Sequence, residues 1–175
     1  MTNTAPSLAP LARDAAPAAI LEGLLGYVLR RAQLRVYADL AQALLVVGLR
    51  PVTFSVMAII ESMPGLNQAA VGDALGIRRA NLVAIAVELE TAGWILRAPS
   101  SQDRRQYVLS LTHSGHAQMQ QAWPVVRAHD ARIAATLAEV DRHRLLDALR
   151  QTAPGRAVRP VPRSPVPSMQ RKARV

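Results

Sequence analysis

Residues 67–111 read NQAAVGDALGIRRANLVAIAVELETAGWILRAPSSQDRRQYVLSL, and the order of elements inside this stretch decides the fold. Asn67 suits the N-cap of a short helix, because its side chain can accept from a free backbone N–H of the first turn. Gly76 breaks that helix. A second helix is predicted from about Arg78 to Thr91, with Leu82, Ile85 and Leu89 as its buried stripe and Gly93 closing it as the residue after the cap. WILRAP and QYVLSLT then flank SSQDRR. In the second of these, Tyr107, Leu109 and Leu111 alternate with Val108, Ser110 and Thr112, the period of a half-buried strand. Two such strands around a polar, charged tip make a β-hairpin. Helix, glycine turn and helix form a helix-turn-helix, and the hairpin directly after it is a wing.

Working outward, the first residues hold three prolines up to Pro17 and read as a flexible arm over 1–18. A long helical pattern runs from Ile20 to about Val47, with Ile20, Leu24, Val28, Leu34 and Ala41 near one stripe. A helix of that length cannot bury its apolar surface inside one small core, so dimerisation is expected. Gly48 ends it, and Pro51 suits the first turn of the next helix, PVTFSVMAIIES. Beyond the hairpin, Thr112 caps HSGHAQMQQAWPVVRAHDARIAATLAEV, in which Pro124 predicts a kink or a break. RHRLLDALRQ is a last amphipathic helix. The predicted fold is mainly α: a winged helix-turn-helix over 51–111, long dimerisation helices over 19–48 and 112–152, and a two-stranded β-wing. Residues 153–175 have the Pro/Arg-rich composition of a disordered tail.

The totals fit one domain with tails. The chain has 175 residues, half of them apolar, and no cysteine, which excludes disulfides and thiolate metal sites. One Phe, three Tyr and two Trp are too few for a base-stacking platform. The net charge is +9, but from Ala153 onward six basic residues meet no acid, leaving 15 basic against 12 acidic residues elsewhere. Two-thirds of the excess therefore belongs to the tail. The N-terminus is unlike a signal peptide, and LAQALLVVGL stops at Arg50-Pro51, short of the about 18 residues a membrane span needs. A cytoplasmic protein without membrane contact is expected.

A helix-turn-helix can set its second helix in a major groove about 12 Å wide. The exposed start of that helix offers Arg78, Arg79 and Asn81; arginine can bond guanine at two points, and asparagine adenine. Amides near Asn67 and Gln68 suit phosphates. On the wing, Arg105 suits a narrow minor groove, Arg104 adjoins it, and Asp103 can orient the Arg105 guanidinium. Singly, an Arg-Arg pair reads as a solvated helix start and a D-R-R turn as a surface ion pair; their joint order favours DNA. His113 and His116 could share a helix face, but with no cysteine and no matched acid a metal role is not expected. His129 and His143 read as surface residues. No Ser-His-Asp arrangement, Gly-rich phosphate loop or acid pair in a strand-turn setting appears, so neither an enzyme nor a cofactor is expected.

LGIRRANLVAIAVELETAGWILRAPSSQDRRQYVLSLTHSG, residues 75–115, resembles the MarR family of winged-helix regulators. The matching features are Leu75-Gly76, Leu89-Glu90 before Ala92-Gly93-Trp94, the D-x-R of Asp103 and Arg105, and L-x-L-T-x-x-G from Leu109 to Gly115. With the flanking helices the resemblance covers about 20–152. It implies an obligate homodimer with intertwined termini, bound to a palindromic operator in double-stranded DNA. The recognition helix would start near Arg78, and Arg105 would be the wing arginine. Many members carry a polar or basic pair where Val83 and Ala84 stand, so base reading here leans on Arg78, Arg79 and Asn81.

The resemblance further implies a repressor released by a small effector, often an aromatic or phenolic acid, bound between the dimerisation helices and the winged domain. That surface could include Arg30, Tyr37, Arg50, Phe54, Met57 and His113: arginines for a carboxylate or phosphate, aromatic rings for a ring. Taken singly, Phe54 and Met57 read as plain core. LRPVTFSVMAIIESMPGLNQAAVGDALGIRRAN, residues 49–81, also resembles a subgroup that controls hydroxycinnamate breakdown, whose effectors are CoA thioesters. The alternative is a helical protein–protein adaptor that uses its winged domain without DNA.

Overall fold

A computed structural model describes residues 17–99 and 107–152, with only the backbone described for 17–19. The arm before Pro17, the wing tip at 100–106 with Asp103, Arg104 and Arg105, and the tail from Ala153 lie outside the described residues. The chain divides into two compact units, Met1–Asp39 and Leu40–Val175.

In the first unit, the single helix expected from Ile20 is two. Helix α1 spans Pro17–Glu22 and α2 spans Leu25–Leu44. Gly23 and Leu24 separate them, held by a turn in which the Leu24 N–H donates to the Leu21 carbonyl at 2.9 Å. Glycine is the weakest helix former after proline, and Gly23 and Gly26 fall close together at this point. Leu24, Leu25, Val28, Leu34 and Tyr37 are all exposed, Leu25 at 68%.

The second unit holds the core. The C-terminal end of α2 passes through a 3-10 turn, Leu45–Val47, into Gly48. Helix α3 spans Pro51–Ser62. At its start the Arg50 backbone N–H donates to Thr53 Oγ1 at 3.0 Å, and that hydroxyl donates to the Arg50 carbonyl at 2.8 Å, so buried Thr53 is satisfied. Helix α4 spans Gln68–Leu75 and α5 spans Arg79–Thr91. Gly76 joins them at φ +64°, a left-handed conformation that glycine adopts without strain.

Strand β1, Ile95–Pro99, pairs antiparallel with β2, Tyr107–Leu111, in the register Ile95↔Leu111 to Pro99↔Tyr107. Among the described residues of this hairpin, only Ile95 and Leu109 are fully buried; the strands run outward past the core, so the predicted stripe holds at its base and Tyr107 stands exposed. Helix α6 then runs His113–Ala134 and α7 runs Glu139–Thr152. Pro124 lies inside α6 without ending it. The interruption falls later, at 135–138. Leu44, Leu49, Val56, Met57, Ile60, Leu66, Val71, Leu82, Leu89, Ile95, Leu109 and Met119 fill the centre. The fold is mainly α with a two-stranded winged helix, as the sequence implies. Among the described residues, no single helix is long and apolar enough to cross a membrane.

Candidate nucleic-acid interface

Helix α4 is capped as predicted: Asn67 Oδ1 accepts from the Ala70 N–H at 2.9 Å. That oxygen is thereby engaged within the protein. Gln68 presents less than its sequence position suggested, because its Nε2 is buried; in this arrangement that amide nitrogen does not face a phosphate.

Helix α5 sits against α4 through buried Val71 and Leu82. The α4–α5 turn is tightened by the Ile77 N–H donating to the Gly72 carbonyl at 2.9 Å. Arg78 takes the extended N-cap position and Arg79 opens the helix; Arg78, Arg79 and Asn81 are all exposed. No acid stands in the first turn. The positive end of the helix dipole and two guanidiniums thus share one edge of the molecule.

The wing is tied to this motif by backbone bonds. The Leu109 N–H donates to the Leu66 carbonyl at 2.9 Å, the Gly65 N–H donates to the Leu109 carbonyl at 3.3 Å, and Asn67 bridges Val108. On the hairpin, the Arg97 guanidinium lies 5.1 Å from the Tyr107 ring centroid. Arg97 was missed in the sequence: it lies inside a strand-like stretch, and its partner Tyr107 is across the hairpin.

The junction of wing and α6 explains the Leu-Thr-x-x-Gly run. Thr112 and Ser114 each donate a hydroxyl hydrogen bond to the Gly93 carbonyl at 2.7 Å, and the Thr112 N–H donates to the Trp94 carbonyl. A Cβ on Gly115 would stand 2.0 Å from the Trp94 carbonyl oxygen, so only glycine fits.

Of the residues expected at the effector surface, Arg30 and Tyr37 lie in the first unit and Arg50, Phe54, Met57 and His113 in the second. Phe54 and Met57 are core, 7% and 0% exposed, and Phe54 meets Trp123 edge to face at 5.0 Å. Both side chains are enclosed in the core in this structure. Arg50 is exposed and hydrogen-bonds Glu88 of α5. His113 is exposed at the start of α6. In the first unit, Arg30 donates to Gln33 at 2.9 Å and Tyr37 is exposed.

Trp123 is an unforeseen centre. Its Nε1 donates to Glu61 Oε2 at 2.8 Å, while His116 Nδ1 lies 3.6 Å from Glu61 Oε1. Arg127 stacks over its ring. His129 corrects another expectation: it is 5% exposed, because Met119, Ala122, Val126 and His129 recur at helical spacing on the inner face of α6. Among the described residues, no group of three or more His, Asp or Glu side chains could hold a metal ion.

Comparisons with known proteins agree with this geometry. The model of the MarR family matches residues 47–106. A protein of Thauera aromatica, assigned as transcriptional regulator of the hcr operon, is 30% identical over 132 residues, covering 75% of this chain and 80% of that protein. The transcriptional repressor CouR bound to a 23-mer DNA duplex is 38% identical with a TM-score of 0.75, covering 80% of this chain and 99% of that one. CouR bound to p-coumaroyl-CoA is 37% identical with a TM-score of 0.71, covering 76% and 94%.

Proposed function

We propose, since this chain belongs to the MarR family of transcriptional regulators, that it is a homodimeric repressor released from a palindromic operator by a small aromatic acid or its CoA thioester. The observation that carries the DNA half is the exposed edge of Arg78, Arg79 and Asn81 at the start of α5, on a fold that CouR, bound to a duplex, shares along nearly its whole length. Guanidiniums that face outward beside a helix N-terminus neutralise phosphates and can bond guanine edges.

The dimer rests on exposed apolar surface. Leu25, Val28, Leu34 and Tyr37 stand open in the first unit, and Val140, Leu145, Leu146 and Leu149 along α7 in the second. Apolar patches of this kind mark association surfaces, and a second copy would cover them. Two recognition helices would then meet half-sites about 34–36 Å apart, one turn of DNA.

The effector half rests on the likeness to CouR bound to p-coumaroyl-CoA. Arg50 is the effector contact we favour, because an anion that takes its guanidinium separates it from Glu88 on the recognition helix. Such a ligand shifts the population only by binding the released form more tightly. The test is binding of the purified dimer to the DNA flanking its own gene, measured by fluorescence anisotropy at several salt concentrations, with p-coumaroyl-CoA titrated into the complex. A steep salt dependence and release by the thioester are expected. Salt-independent or absent binding would remove the DNA half, and a complex indifferent to aromatic acids and their CoA esters would remove the effector half.

A further inference from the structure

Helix α5 turns an apolar face outward. Leu82, Ile85, Ala86 and Leu89 are buried. The 3.6-residue repeat sets Ala80, Ala84 and Val87 on the opposite side, with Val83 beside them. All four are exposed, Val83 at 40% and Val87 at 49%. The polar groups stand around it: Arg78, Arg79 and Asn81 at the N-terminal end, Glu88 on one flank, engaged by Arg50, and exposed Glu90 and Thr91 at the C-terminal end.

Charge selects what covers this face. The strip begins at two exposed guanidiniums with no acid in the first turn; of its two flanking carboxylates, Glu88 is bonded to an arginine and Glu90 stands at the far, C-terminal end. A neutral strip led by cations suits a groove walled by phosphates. Within the major groove, thymine alone presents a C5 methyl group, and alanine or valine is its apolar partner. Against cytosine or adenine the same side chains would strip water from an exocyclic amine and return no hydrogen bond.

We infer that Ala80, Val83, Ala84 and Val87 read thymine methyls, so that specificity in the middle of each half-site is a methyl pattern flanked by arginine contacts. This rests on the DNA-binding reading above. It predicts half-sites with thymines at fixed positions inward of the bases met by Arg78 and Arg79.

The test uses the full-length protein and a duplex selected from a random pool by the protein itself. The selected operator is then made with deoxyuridine for thymidine, which keeps pairing and removes only the methyl groups. A loss of about fourfold is expected for each methyl read, and more than tenfold for the whole operator. A Val83→Ala/Val87→Ala protein, checked for folding by circular dichroism, is expected to show a thymine-over-uracil preference at least about twofold smaller than the wild type's, Ala80 and Ala84 keeping the remainder. Equal wild-type affinity for both operators would overturn the inference. So would a thymine preference undiminished in the double variant, which would locate methyl reading elsewhere. A pool that never enriches would overturn the DNA-binding reading itself, and the inference with it.

Discussion

The guanidinium of Arg50, at the N-cap of α3, hydrogen-bonds the carboxylate of Glu88 on the outer half of α5. The two residues are 38 positions apart, and both side chains are about half exposed. An exposed pair of this kind stabilises the fold by only about 0.2–1 kcal/mol, so its chemical interest is the charge it holds beside the helix proposed to face DNA.

Glu88→Gln is therefore expected to leave the melting temperature nearly unchanged while tightening operator binding. The freed Arg50 could then neutralise a phosphate, steepening the plot of log affinity against log salt by about one unit. Anisotropy titrations across a salt series measure this; an unchanged slope and affinity would show that the pair is electrostatically idle.

Arg50→Ala should have the opposite emphasis. Loss of a charge-assisted hydrogen bond to an anionic effector corresponds to about tenfold in affinity. The concentration of CoA thioester that half-releases the operator should rise by that factor, read in a competition titration.

Arg105 lies outside the described residues, and its role rests on the D-x-R resemblance. Arg105→Ala is expected to weaken operator binding by at least about tenfold, the scale of one lost charged contact, without lowering the melting temperature. Unchanged operator affinity would sink the wing assignment.

Gly115→Ala sets a methyl group against the Trp94 carbonyl. Backbone must move at the wing–α6 junction, and overpacking of this kind costs about 1–3 kcal/mol, more than the helix propensity gained. Thermal unfolding should register a clear fall, and a variant as stable as the parent would contradict the close approach.

Leu145→Glu/Leu149→Glu places two charges on the exposed face of α7. Sedimentation equilibrium should show a shift from dimer to monomer. Truncation after Thr152 should leave a folded dimer; a monomer or aggregate there would give the tail a structural part.

The helix-turn-helix was legible because its signals are local. Asn67 caps, Gly76 turns, and Leu82, Ile85 and Leu89 recur at helical spacing within one segment. The break between α1 and α2 was hidden because the apolar stripe continues across Gly23. His129 was hidden by its chemistry, since polarity suggested the surface while its position beside Met119, Ala122 and Val126 put it inside. The Arg50–Glu88 pair, the Trp123–Glu61 hydrogen bond and the Arg97–Tyr107 stack join separate elements, and no local pattern announces them. Gln68 shows the converse: a side chain in a plausible position whose nitrogen the fold encloses.

Because Leu109 exchanges backbone hydrogen bonds with Gly65 and Leu66, the hairpin base and the start of α4 move as a single piece. On the proposed mode of binding, the protein would carry a fixed ruler within each half of its target. A base pair inserted between the stretch met by α5 and the flank met by the wing would throw the two out of phase, and no hinge at this joint could restore it. Tolerance for altered spacing would then have to come from elsewhere, at the centre of a palindromic target, where two such rulers would face each other.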